Sequence, residues 1–281
     1  MIIKNIKNIG KKIYRENPSL QPFIDAIRKK EKDIPKFSGW GMTSIHEFPW
    51  KDNFQGDIFR KTCKEIIQEF DFTDGKTTTG IYVERLESLQ WRHWNISYAV
   101  RFALKFANTQ EFNFIECGVA DGISSFFLLS EVDSKKELLG KCSLNLYDSW
   151  DTIRFEDLSQ SEKTHLKGRY KELELERTQK NLSKFQTSIV YHKGYIPESL
   201  QKNPKAPDSI CYLHIDLNSS KATLAALEFF YSRLVKGGVI LFDDYAGTGY
   251  GDTKEVVDEF FSNKLGILQK IPTGQAIYYN N

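Results

Sequence analysis

Phe114-Ile115-Glu116-Cys117-Gly118-Val119-Ala120-Asp121-Gly122 decides the fold. An apolar, strand-like run ends in an acid and two glycines spaced E-x-G-x-x-x-G, and a helical stretch reaching Glu131 follows. In an open α/β sheet, ligands bind beyond the carboxyl ends of the strands, against the first strand-to-helix turn. Gly118 and Gly122 occupy that place. Glycine permits positive φ and close approach of a ligand to the backbone, while the amides opening the next helix donate hydrogen bonds. A tight turn with packing glycines would account for the same residues without a ligand.

Outward from this turn, short β-like runs alternate with helical stretches. The strands are Phe112-Cys117, Ser143-Asp148, Ser188-His192, Ile210-Asp216 and Val239-Asp243, the last after a tight Gly237-Gly238 turn. Helices are expected up to Glu131, from Ala222 to Leu234 and from Thr253 to Phe261. Such alternation predicts parallel strands with crossover helices. Leu265-Ile271 and Gln275-Tyr279, separated by Pro272-Thr273-Gly274, predict a closing antiparallel hairpin. The expected architecture is therefore α/β and Rossmann-like, a mostly parallel seven-stranded sheet with a C-terminal antiparallel hairpin. The charged stretch from Glu162 to Lys184 predicts one long helix with a solvated face.

Toward the N-terminus, Leu89, Ile96, Ala99, Val100, Ala103 and Phe106 fall at helical spacing between Ser88 and Ala107. The core domain is placed at 88–281 and an irregular cap, a substrate-specificity region, at 1–87. Arg85 to Trp94 groups cations with indoles. These residues suit either a cover over a bound cofactor or sugar, or a packing seam with a charged outer face.

The 281 residues hold 40% hydrophobic and 27% charged residues, near globular averages, with a net charge of only +2. That balance gives no electrostatic case for nucleic acid. Cys63, Cys117, Cys142 and Cys211 show no CxxC or zinc spacing, so a reducing, cytoplasmic setting is expected. No apolar run approaches the roughly 18 residues of a spanning helix. Met1 to Ile9 alternates isoleucine with lysine and asparagine, which is no secretory signal and reads as a terminal helix packed by its isoleucines. A homo-oligomer is compatible with the sequence.

Acids at the other strand ends sharpen the chemistry. Asp148 ends the second strand, where a carboxylate can accept both hydroxyls of a ribose. A dinucleotide reading fails on spacing: G-x-G-x-x-G is absent, and Asp148 follows the glycines by more than the ~20 residues of that fingerprint. Asp216 and Asp243-Asp244 end two further strands. If those strands are neighbours, about 4.8 Å apart, three carboxylates converge. They would repel unless neutralised, and a hard divalent cation, magnesium or calcium, suits oxygen ligands. Simple capping of the following helix and loop explains the same aspartates, and both readings stand.

Phe114 to Val119, Tyr147-Asp148-Ser149-Trp150, His192 to Ser199, Leu213-His214-Ile215-Asp216, Gly237 to Tyr245 and Val257 to Phe260 together resemble the macrocin O-methyltransferase family. That family comprises class I S-adenosylmethionine enzymes, including magnesium-dependent methyltransferases of antibiotic sugars. The resemblance implies an O-methyltransferase of a sugar or other small hydroxylated acceptor, using S-adenosylmethionine and Mg2+. Its cofactor-binding set falls on Glu116, Gly118, Val119, Ala120, Gly122, Ser124, Asp148, Ser149, Gly194, Tyr195, Ile196 and Asp216, and its metal ligands on Asp216, Asp243 and Asp244. The chain departs from the family at Asn218, where a general-base aspartate is common. An amide cannot take a proton at neutral pH. His192 and His214 are the nearest substitutes, although His214 inside a strand reads first as a core histidine. A cofactor-binding or regulatory module without catalysis is the other expectation that Asn218 leaves open, alongside a methyltransferase of another acceptor class.

Overall fold

A computed structural model describes residues 48–51, 53–73, 86, 89–166, 170–202, 206–247 and 249–281. The expected N-terminal helix and the Arg85, Glu87 and Ser88 part of the basic stretch lie outside these residues. Pro49–Asn281 forms one compact unit.

Its centre is a seven-stranded sheet: β1 (Glu111–Cys117), β2 (Lys141–Asp148), β3 (Ser188–Lys193), β4 (Ile210–Ile215), β5 (Leu234–Phe242), β6 (Ile267–Lys270) and β7 (Ala276–Tyr279). Their order is β3-β2-β1-β4-β5-β7-β6, parallel from β3 to β5, with β7 antiparallel to both β5 and β6. The chain winds out from β1 to one edge, then returns to β4 on the other side. That reversal between β1 and β4 is the switch point where a crevice opens. Every residue of β4 is buried, which explains its unbroken apolar run: helices cover both faces of a parallel sheet.

The helices are α1 (Asn53–Glu69), α2 (Gln90–Phe106), α3 (Ile123–Asp133), α4 (Gln160–Leu166), α5 (Leu175–Leu182), α6 (Glu198–Lys202), α7 (Ser220–Phe230) and α8 (Gly251–Phe261). α2 lies on α3 and β5, and α1, from the stretch assigned to the cap, lies on α3. Arg101 of α2 makes a two-toothed ion pair with the buried Glu131 of α3, at 2.8 and 2.5 Å.

Two local expectations are corrected. The charged stretch is not one helix but two, α4 and α5. Tyr170 adopts a φ of 68° and Glu174 is extended, and neither conformation continues a right-handed helix. Gly237-Gly238 is not a turn before a strand but lies inside β5, where the pairing with β4 slips between Ile210 and Tyr212. Gly237 has a φ of 76°, and a Cβ there would stand 2.0 Å from the Phe106 carbonyl oxygen, so a bulge forms where α2 ends.

Candidate active site

At the carboxyl edge of the sheet the ladder continues past the strands and ties the loops together. Gly118 N donates to Tyr147 O (2.9 Å), Asp216 N to Cys117 O (2.8 Å), Gly194 N to Asp148 O (2.8 Å) and Asp243 N to Ile215 O (3.0 Å). Gly118 has a φ of 85°, and a Cβ on it would lie 1.8 Å from Asp216 O. Glycine is thus required where the first turn crosses the end of β4. Gly122, with a φ of 90°, opens α3, and a Cβ there would press on Thr178 and Leu182 of α5, so this glycine serves packing.

These loops enclose a cavity of about 360 Å³, within the usual range for small-ligand sites. Gly118, Val119, Ala120, Ser124, Asp148, Ser149, Gly194, Tyr195 and Ile196 line one part of it; Asp216, Asn218, Asp243, Asp244, Arg92 and Tyr250 line another. Glu116, Gly122, His192 and His214 are not among its lining residues.

Asp148 uses its carboxylate to hold the turn. Oδ2 accepts from Val119 N (2.6 Å) and Ala120 N (2.9 Å), and Oδ1 from Trp150 N (2.7 Å). A carboxylate offers about four lone-pair sites, so acceptor capacity remains toward the cavity. Across from it, Tyr195 Oη donates to Thr152 O at 2.8 Å, and the Arg154 guanidinium lies 3.8 Å from the Tyr195 ring centre while pairing with Glu198.

The three strand-end aspartates do converge, and the protein supplies its own counter-charge. Arg92 of α2 pairs with Asp243 Oδ2 and donates to Asp243 O (2.6 Å) and Thr273 O (3.0 Å). Gln275 Nε2 donates to Asp243 Oδ1 at 2.6 Å, itself held by Asn95 at 2.8 Å. Burial alone would raise the Asp243 carboxyl, but Arg92, His214 and Gln275 bring it below the ordinary value. Asp216 and Asp244 go the other way. Burial, then Asp243, pushes both up, and their carboxyls lie within hydrogen-bond reach, as two acids sharing a proton do.

His214 sits beneath this group, 1% exposed. Its Nδ1 meets Glu116 Oε1 at 3.0 Å, and Glu116 also accepts from Ser125 Oγ. Burial lowers the imidazole's affinity for a proton, but the Glu116 bond and charge raise it more. A ring nitrogen of His214 and one oxygen each of Asp216 and Asp243 lie within 4.8 Å of one another. Nε2 has no hydrogen-bond partner, and Asp244 Oδ2 has none besides such a shared proton. Orphaned buried donors and acceptors of this kind, beside clustered carboxylates, fit a divalent cation.

His192 stacks on Tyr147, centroids 4.2 Å apart, with Nε2 3.1 Å from Asn145 Oδ1. Asn218, at a φ of 55°, accepts from Tyr250 Oη (2.6 Å) and donates to Tyr170 Oη (3.4 Å). Sequence reasoning missed Tyr170, Tyr250 and Gln275, and it noticed Arg92 only as part of a basic, indole-rich stretch.

Residues 115–245 match the family described as a methyltransferase domain. Among solved structures, the chain is similar to the O-methyltransferase NovP, at 19% identity and a TM-score of 0.58 over 68% of this chain and 79% of that one. It is also similar to CalS11, calicheamicin methyltransferase, at 15% identity and a TM-score of 0.56 over 84% and 94%. No curated protein matches by sequence. Fold and matched domain define the class: residues 115–245 carry a methyltransferase domain, on the Rossmann-like fold of the class I methyltransferases. Within that class its likeness of fold runs to NovP and CalS11.

Proposed function

We propose that the chain transfers a methyl group from S-adenosylmethionine to a hydroxyl of a sugar or similar small polyol, in the manner of the macrocin-type enzymes. One observation carries the reading: a single cavity joins the glycine turn and Asp148 to the aspartates ending β4 and β5. The cofactor, when bound, supplies a methyl group on a positively charged sulfur. Asp148 retains lone pairs for the ribose, and Ser124 in the first turn of α3 lies where helix amides favour an anionic group. Tyr195 and Ile196, which line the same cavity, would border the nucleoside.

On the acceptor side, Asp216, Asp243 and Asp244 would hold a divalent cation, magnesium by the family resemblance. Such an ion lowers the pKa of a bound hydroxyl and fixes its direction. Asn218, pinned between two tyrosines, orients rather than deprotonates. Support for a sugar comes from CalS11, which is described as a TDP-rhamnose 3'-O-methyltransferase. The region before residue 88 we assign to acceptor selection.

The test is release of S-adenosylhomocysteine with nucleotide-linked sugars, free sugars and catechols, with and without chelator. Turnover on a sugar hydroxyl that chelator abolishes is the expected result. Turnover unaffected by chelator removes the metal from this reading. Calorimetric cofactor binding with no acceptor methylated favours instead the non-catalytic module that Asn218 suggests.

A further inference from the structure

We propose that His214 is itself a ligand of the ion held at the acid cluster, with Glu116 as the carboxylate that orients it, so that the site prefers a first-row transition ion to magnesium. The inference rests on the metal reading above and deepens it.

Adjacent strands set the pair. Glu116 of β1 lies opposite His214 of β4 in register, and both side chains are 1% exposed. Glu116 takes Nδ1 at 3.0 Å and is itself fixed by Ser125. The nitrogen left for an ion is therefore Nε2, which is buried without a partner. A ring held by a carboxylate through one nitrogen, with the other unsatisfied, in a cluster where one ring nitrogen and two carboxylates lie within 4.8 Å of one another, matches a metal-binding histidine and its supporting acid. An unsatisfied buried ring atom in a cluster with Asp216 and Asp243 calls for a partner, and an ion supplies one.

Imidazole changes which ion fits. Magnesium takes oxygen ligands and keeps much of its water, whereas nitrogen donors favour manganese, iron, cobalt and zinc in rising order of affinity up the series. Because His214 does not line the cavity while Asp216 and Asp243 do, the ion belongs in the cavity floor, with His214 behind it and its remaining positions open to the acceptor space. Arg92 reaches Asp243 from the cavity. Guanidinium and ion then compete for the same carboxylate.

The experiment titrates Co2+ and Mg2+ separately into the metal-free full chain, by calorimetry and by proton NMR of histidine-labelled protein. Expected are at least ten-fold tighter binding of Co2+ than of Mg2+ and an exchangeable, far-downfield imidazole N–H resonance from a cobalt-bound ring. Glu116→Gln should weaken Co2+ binding by about 10–100-fold, the usual effect of losing a supporting carboxylate, and His214→Gln should abolish the shifted resonance. Arg92→Gln should tighten Co2+ binding. The NMR signal in the unaltered protein keeps the test independent of whether either buried variant folds. Equal affinity for the two ions with no shifted histidine resonance overturns the role of His214 and leaves the carboxylate site standing. If neither ion binds, the metal reading falls with it.

Discussion

The site separates residues whose place can be read from their strand position from those whose place depends on a partner far along the chain. Asp148, Asp216, Asp243 and Asp244 were legible because each ends a β-like run, and parallel strands bring their carboxyl ends to one edge. Glu116 was legible as an acid before the glycine turn but not as the partner of His214, since that depends on the register between β1 and β4. Arg92 lies 151 residues from Asp243, and nothing in the local sequence announces their pairing. His192 shows how chemistry is decided by surroundings. Stacked on Tyr147 and bonded to Asn145, it has its pKa lowered from the ordinary 6.5 by burial. A lowered folded pKa means the unfolded chain binds the proton more readily, so this contribution to stability is fully present above the unfolded value and is lost as pH falls through the folded one. His192→Phe keeps the stack and removes the titration. Urea midpoints at pH 7.5 and pH 5.5 should therefore differ less in the variant than in the parent protein; equal pH slopes would show that burial does not perturb this ring.

At the scale of elements, the strand and helix succession was readable because covered parallel strands are continuously apolar and the helices between them show the longer period. The stretch from Glu162 to Lys184 was not, because charge density gave no hint that one of its acids is buried. Glu162 is 0% exposed and spans two helix starts. Its Oε2 accepts from Ser159 N just before α4, and its Oε1 from Ser220 N at the first turn of α7, both at 2.7 Å. Ser219 Oγ adds a bond to Asp157 O at 2.8 Å. The segment between β2 and α4, which includes the cavity-lining Ile153, Arg154 and Leu158, is thereby fastened to the helix after Asp216. Glu162→Ala strands two amides that now bond a charged acceptor, a loss of about 2–6 kcal/mol in unfolding free energy at roughly 1–3 kcal/mol per bond. Glu162→Gln, which keeps an acceptor oxygen for one of the two amides and loses the other, should cost less than Glu162→Ala. Chemical denaturation of the two variants checks the order; equal losses would mean that one neutral acceptor recovers nothing of the carboxylate's contribution, and no loss in Glu162→Gln that the side chain contributes only volume.

Across the whole molecule, the compact unit Pro49–Asn281 brings two independently built half-sites to one crevice. β1 and β2 provide the turn and Asp148, while β4 and β5 provide the aspartates, and Gly118 locks them together where its missing side chain admits Asp216 O. No helix among the described residues is long and apolar enough to cross a membrane. A ligand that bridges the crevice binds only the folded chain, so it must raise the melting temperature by mass action. S-Adenosylhomocysteine at one hundred times its dissociation constant adds about 2.7 kcal/mol. For a domain of this size, with roughly 2–4 °C per kcal/mol, the shift should be about 5–10 °C. Asp148→Asn keeps one acceptor oxygen, for either the turn amides or Trp150 N, and loses the charge proposed for the ribose. That variant should melt below the parent protein without ligand, because an amide NH2 now faces a backbone N–H, and should show less than half the parent's ligand shift measured from its own unliganded midpoint. A variant shift equal to the parent's would place the nucleoside away from Asp148, and an equal shift with adenosine-free control compounds would remove the crevice as the cofactor site.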